Sequence, residues 1–284
     1  MITVNLGTLL ARQGNRVLLM DLDLGSSNLH TFMEGQDPDH GLDLYLDKQV
    51  ASLDQAAVPS GIANLSIISS QHCSTEAANL YTAQKLKIIR AISSLDYDYV
   101  LLDLGAGTNF NTLDFFLVSG QGICVATSEP TAIENTFKFI KAVYFRLVKK
   151  ILKEEAFAPV ARHLDLSGSG LDTSFNLIDE VTRQDPGIGR LLKEKLNAFC
   201  FKLVFNQVRQ KDDPDLGRKI ERVCKRHFHL RFKFLGKIRH DETIQDAIQL
   251  RKNFITSYAH TRTPNDMARI ARNVIREKPF GAGV

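Results

Sequence analysis

The stretch that most constrains this chain is residues 98–107, DYVLLDLGAG. Tyr99–Leu102 is a short apolar run of the kind a buried parallel strand uses. It ends in Asp103, and Gly105, Ala106 and Gly107 then let the backbone turn tightly. An acid at the carboxyl end of a buried strand, before a glycine turn, stands where open α/β sheets put ligand chemistry. A second unit is built alike: Arg16–Met20, then Asp21, Leu22, Asp23, Leu24 and Gly25. One such acid alone is as readily a loop or helix cap. Two strands that each deliver carboxylates and a glycine to one rim suggest a site for a magnesium-bound nucleotide.

The rest of the chain alternates strands with helices, which implies an α/β fold with a mostly parallel sheet and helices on both faces. The periodicity predicts helices over 3–13, 76–94, 112–118, about 132–153, two within 173–197, 214–228 and 265–277. It predicts strands at 16–21, 65–69, 99–103, 122–127, 201–205 and 230–235. The strand at 201–205 is expected to end in Asn206. The one at 230–235 alternates apolar and basic residues, which suits an edge strand. Within 76–94 the inward stripe is read as Leu80, Ala83, Leu86, Ile89, Ala91 and Ile92; within the long helix it is Ile140, Tyr144, Leu147, Val148 and Ile151. Residues 154–172 read as a loop. A chain of 284 residues suits one large α/β domain or two small ones, and the expectation is a single domain over 1–284 with a helical insertion at about 138–197. Four cysteines without a CxxC pair fit a reducing, cytoplasmic setting. No apolar stretch approaches the roughly 20 residues of a membrane span.

Four stretches, VNLGTLLARQGNRVLLMDLDLGSSNLH, DYVLLDLGAG, SEPTAIENTFKFIK and the strand ending VFNQV, give the chain a resemblance to a known family. It resembles the MinD/ParA group of deviant Walker A ATPases, P-loop NTPases of the SIMIBI class. Within that group it looks most like the flagellar number regulators of the FlhG/FleN branch. The resemblance implies ATP and Mg²⁺ as cofactors and a homodimer that forms on ATP binding. It implies that Asp23 positions the attacking water, that Asp21 supports the metal shell, and that Asp103 is the Walker B acid that holds Mg²⁺. It gives Gly105, Ala106 and Gly107 the role of the turn that senses the γ-phosphate, and Asn206 the role of reading the adenine edge, since an amide can donate and accept at once.

The departure from the family is the Walker A loop, KGGxGK[ST], whose backbone N–H groups and lysines cradle phosphates. No lysine of this sequence is flanked by the needed glycines, and Met1 stands immediately after the place of the loop's final Thr or Ser. The central first strand of the family sheet is absent with it. The expectation is that the loop is encoded upstream of Met1 and that the whole protein is an ATPase. The alternative is a non-enzymatic interaction module that kept the fold and lost phosphate binding; the chain as written would then be inactive.

Charge bears on partners. Net charge is +4, too mild to imply nucleic acid by itself, and no sequence-specific nucleic acid partner is expected. Two basic segments stand out. From Lys138 to Lys153 there are six basic residues and no acid, and 218–239 hold nine Lys or Arg against one acid. Lys141, Arg146, Lys149 and Lys150 are expected to face an acidic protein or an anionic membrane surface, while the second segment is more readily a solvated face. Cys224, His227 and His229 lie close, but a zinc site would need a second ligand pair. The final helix, with Met267, Ile270, Ala271, Val274 and Ile275 in a stripe and no aromatic until Phe280, is expected to pack on the sheet rather than enter a membrane.

Overall fold

The computed structural model describes residues 1–32, 39–73, 80–162 and 177–275. The start of the expected helix at 76–79, the loop at 163–172, the end of the last helix at 276–277 and Phe280 lie outside the described residues. In chain order, α1 covers Ile2–Ala11, β1 Val17–Asp21, α2 Leu42–Leu46, β2 Val58–Pro59, β3 Leu65–Ile68, α3 Thr82–Ile92 and β4 Tyr99–Asp103. Next come α4 (Phe110–Phe116), β5 (Gln121–Ala126), α5 (Pro130–Ile151), α6 (Ala158–Ala161), α7 (Leu177–Gln184), α8 (Pro186–Ala198), β6 (Cys200–Val208), α9 (Leu216–Phe228) and β7 (Arg231–Arg239). The chain closes with α10 (Thr243–Gln249), α11 (Phe254–Ser257) and α12 (Thr263–Ile275). The mixed α/β class expected from the sequence is what forms. Its strands lie in two sheets and the chain divides into two compact units, Met1–Gly107 with Arg239 onward, and Thr108–Ile238.

In the first unit the strand order is β2-β3-β1-β4. β1 runs parallel to β3 and to β4, and the register sets Val17 opposite Tyr99 and Asp21 opposite Asp103. Every residue of β1 is buried. Successive side chains of a strand point to opposite faces, so both faces of β1 are covered, which its unbroken VLLM run requires. Each of these side chains contributes roughly 1.5–3 kcal/mol on burial. Gly7 lets α1 approach β1 closely: a Cβ there would lie 2.6 Å from Leu19 Cδ2. Asn253 Nδ2 donates to Thr8 Oγ1 at 2.9 Å, and Asn5 Oδ1 accepts from Ile255 N at 3.1 Å, so α11 is pinned to α1 through buried polar groups that satisfy one another. α12 packs on the helix α1 rather than on the sheet as expected, with Met267, Ile270 and Ala271 of its stripe buried and Val274 and Ile275 half-buried.

In the second unit the order is β5-β6-β7, with β5 parallel to β6 and Gln121 opposite Cys200. β7 is an edge strand, as expected, and reaches Arg239. Its core is aromatic. Phe116 meets Phe139 edge-on at 4.9 Å, and Phe201 stacks on Phe232 at 5.1 Å. Gly122 is required beneath Phe116, since a Cβ would fall 2.2 Å from the ring. α5 begins with Pro130 in its first turn, where a missing N–H costs nothing, and buries the expected stripe from Ile140 to Ile151. Asp185 ends α7 and caps α8, accepting from the N–H groups of Gly187 and Ile188.

Three further local expectations are corrected, and one strand was not foreseen. β6 does not stop at Asn206 but runs to Val208. α3 buries Lys85 and Ile88, while Leu86 is 43% exposed; its apolar residues occupy more than one face, so periodicity did not select the inward one. Residues 155–161 are short helical turns rather than loop. The two-residue β2, antiparallel to β3, had no signal of its own.

Candidate functional site

The register of β1 against β4 brings the two acid-bearing loops together at the carboxyl ends of their strands. Leu22 N donates to Asp103 O at 2.8 Å, so the first residue beyond β1 is stitched to the last of β4. Asp21 is buried, 1% exposed. Its Oδ1 accepts from Asp23 N at 3.0 Å, and its Oδ2 accepts from Ser27 Oγ at 2.8 Å and Leu29 N at 3.2 Å. Both oxygens are therefore taken up by the loop 22–29, which the carboxylate holds in shape. Burial raises the Asp21 pKa above its ordinary value, these three hydrogen bonds pull it back, and the Asp103 charge adds to the rise.

Asp23 is free of such donors and sits directly against Gly105. A Cβ at residue 105 would lie 2.7 Å from Asp23 Oδ1 and 3.0 Å from its Cγ. Glycine at 105 is thus a matter of space, whereas Gly107, at φ +106°, is needed for its backbone conformation. Ala106 and Gly107 are exposed. Asp103 Oδ1 accepts from Thr3 Oγ1 at 2.5 Å, which ties the first turn of α1 to the rim. Asp21, Asp23, Asp103 and the Gly105–Gly107 turn are therefore one assembly within the first unit. Among the described residues no three His, Cys, Asp or Glu side chains converge to hold a metal ion by themselves.

Asn206 belongs to the second unit. Its Oδ1 is buried without a hydrogen-bond partner, and the next residue, Gln207, has a left-handed backbone at φ 57°. The loop beyond it is clasped: Asp212 Oδ2 accepts from Ser128 Oγ at 2.5 Å and from Arg209 N at 2.8 Å, joining the segments that follow β5 and β6. Those hydrogen bonds, Ser128's first, hold the Asp212 carboxyl below its usual pKa. Sequence reasoning quoted Ser128 in the SEPT run but missed the pair, because its acid lies 84 residues away.

The other candidates fare differently. Arg146 does not face outward for a partner. Its Nε and Nη2 reach Asp114 at 2.6 and 2.8 Å, and its guanidinium lies 5.0 Å from the Phe110 ring centroid. Lys141 is not free either. Lys149 and Lys150 stand exposed on α5. The Cys224 thiol is fully buried and its pKa is pushed up to about 12, which opposes the thiolate zinc needs. No helix among the described residues is long and apolar enough to cross a membrane.

Comparison with known proteins bears on the family and the fold. A septum site-determining protein MinD of Oltmannsiellopsis viridis is 31% identical over 136 residues, 47% of this chain and 42% of that protein. The antiactivator FleN of Pseudomonas aeruginosa is 20% identical over 276 residues, 96% of this chain and 80% of FleN. The match thus spans less than half the length of that MinD but most of FleN. Among solved structures, the cell division ATPase MinD of Pyrococcus furiosus superposes with a TM-score of 0.65 at 17% identity, over 97% of this chain and 92% of that one. MinD of Pyrococcus horikoshii, complexed with Mg-ADP, gives 0.63 at 17% identity over 96% and 88%. The fold is therefore MinD-like. The CobQ/CobB/MinD/ParA nucleotide binding domain matches residues 1–254, and the chain belongs to that family.

Proposed function

We propose that this protein is an ATP-dependent switch of the MinD/ParA/FlhG type. It binds Mg-ATP, closes as a homodimer, engages a partner and releases it on slow hydrolysis, and it thereby regulates the number or position of a structure such as the flagellum or the division site. The observation that carries this reading is the packing of the Asp23 carboxylate against Gly105, one turn beyond Asp103. Two loops that must both answer to one phosphate are already in contact.

The residues present fit the magnesium ion and the γ-phosphate turn, while the loop that would cradle the other phosphates is not among them. Mg²⁺ keeps several waters and is held through one or two carboxylates plus phosphate oxygens. Asp103 offers Oδ2, since Thr3 takes only Oδ1. Asp21 supports the metal shell by fixing the loop that presents Asp23. The carboxylate of Asp23 is open to orient and accept a proton from an attacking water. The backbone around Gly105, Ala106 and Gly107 can follow the γ-phosphate, because a turn of this kind changes conformation at little steric cost. Asn206 Oδ1 is an acceptor for an adenine amino group. When bound, the ion neutralises phosphate charge.

The names of the relatives, a septum site-determining MinD and the antiactivator FleN, support a regulatory role. A cytoplasmic protein that meets an acidic partner or an anionic membrane surface peripherally fits Lys149 and Lys150; α12 has already used its apolar face inside the fold. The test is calorimetric binding of Mg-ATP and turnover by the protein as its gene encodes it. Asp103→Ala is expected to lose Mg-dependent binding, and Asp23→Ala to keep binding and the dimer while hydrolysis slows. Wild-type turnover in Asp23→Ala overturns the role given to Asp23. A wild type that shows no response to nucleotide is the interaction module instead.

A further inference from the structure

α9 carries a row of cations that nothing in the fold neutralises. The helix turns Gly217, Ile220, Cys224 and Phe228 inward. That leaves Arg218, Arg222 and Arg226 on the side away from the core, four residues apart and all exposed. The intervening lysines are paired, Lys219 with Asp213 at 2.6 Å and Lys225 with Glu221 at 2.5 Å. The three arginines have no carboxylate among the described residues. Like charges at i, i+4 oppose one another on a helix, so the row works against α9 unless something covers it. Beside it stands Val223, an apolar side chain 45% exposed.

We propose that this face docks an acidic helical segment of a partner protein, with carboxylates repeating at i, i+4 and i+8 and an apolar residue set against Val223. Four residues of helix advance about 6 Å, so guanidiniums and carboxylates on two facing helices fall into step. The planar fork of arginine matches a carboxylate with two hydrogen bonds, which lysine does not. One feature favours a short acidic segment over a phosphate backbone: Val223 offers apolar contact that a phosphate chain cannot use. This surface belongs to the second unit, and the acid rim to the first.

The probe is a labelled helical peptide with glutamates at i, i+4 and i+8 and a leucine between the second and third, read by fluorescence anisotropy at low and high salt. A shuffled peptide of the same composition, a short DNA duplex and phosphatidylglycerol vesicles serve as comparators. The ordered peptide is expected to bind about tenfold more tightly than the shuffled one, the sum of several exposed charge pairs, and to weaken with salt. The double variant Arg222→Ser/Arg226→Ser is expected to lose that advantage with an unchanged melting curve, and Lys219→Ser to keep it. Equal binding of both peptides, full binding by the double variant, or tighter binding of duplex or vesicles with the same loss in the double variant overturns the proposal.

Discussion

Replacing Gly105 by alanine separates the geometry of the site from the stability of the fold. The new Cβ would lie 2.7 Å from Asp23 Oδ1, 3.0 Å from Cγ and 3.3 Å from Oδ2, against the 3.4 Å at which ordinary contact begins. Something must yield by about 0.7 Å at the closest pair. The backbone cannot, because Leu22 N is bonded to Asp103 O and Asp23 N to Asp21 Oδ1. The carboxylate of Asp23 can, by rotating away. Gly105 has no left-handed backbone to strain, so the expected cost in stability is under about 1 kcal/mol. The expected cost in turnover is far larger, since a displacement of about 1 Å in a reacting group removes about a hundredfold. The assay is steady-state ATP hydrolysis with Mg-ATP binding and a thermal melt on the same preparations. The reasoning requires kcat to fall ten- to a hundredfold, with Kd within about threefold of wild type. Wild-type kcat would show that Asp23 is not where the chemistry occurs. A large drop in melting temperature would show that the clash falls on the backbone instead. Gly107→Ala is the contrasting case: at φ +106° it should destabilise by about 1–2 kcal/mol without touching Asp23.

Three further expectations follow from the hydrogen bonds. Burial raises the Asp21 pKa in the fold above its unfolded value of 3.8, so the native state binds the proton more tightly. Stability attributable to this group should fall as pH rises from the unfolded value through the folded one, and Asp21→Asn should gain on wild type in melting temperature over that window; a constant gap refutes this. Arg146→Lys cannot reproduce the two-pronged contact with Asp114, and should lower stability by about 1 kcal/mol, read as a drop of about 2–4 °C in the melt; no change would mean the pair is merely solvated. Asp212→Ala should release Ser128 and the Arg209 N–H and weaken ATP binding more than it slows turnover, with Asp212→Asn restoring part of the loss; equal effects on kcat and KM would place the clasp elsewhere in the cycle.

Much of the site was legible because its parts are local. An apolar run closed by an acid and a glycine is a strand and its turn, and β1 and β4 formed where such runs lie. What single segments could not supply was pairing. Asp21 meets Asp103 only through the register of two strands 82 residues apart in sequence, by the Val17–Tyr99 pairing. The same limit explains Arg146: a count of basic residues on α5 sees no Asp114 on α4, and the guanidinium read as outward-facing is spoken for. Asn206 was placed at a strand end because the apolar run 201–205 stops there, yet β6 runs past it and the side chain keeps its orphan oxygen inside. On α9 the basic count read as a solvated face, and only the pairing of Lys219 and Lys225 separates the three arginines left over.

The central claim is that the Asp23–Gly105–Asp103 rim binds a magnesium-bound nucleotide. Equilibrium titration of a fluorescent ATP analogue into the protein as its gene encodes it, with and without Mg²⁺, tests it most directly. The account requires saturable binding that strengthens with Mg²⁺, and an Asp103→Ala variant that binds equally with and without the ion. Binding indifferent to Mg²⁺ in the wild type, or an Asp103→Ala variant that keeps the full magnesium effect, would contradict it.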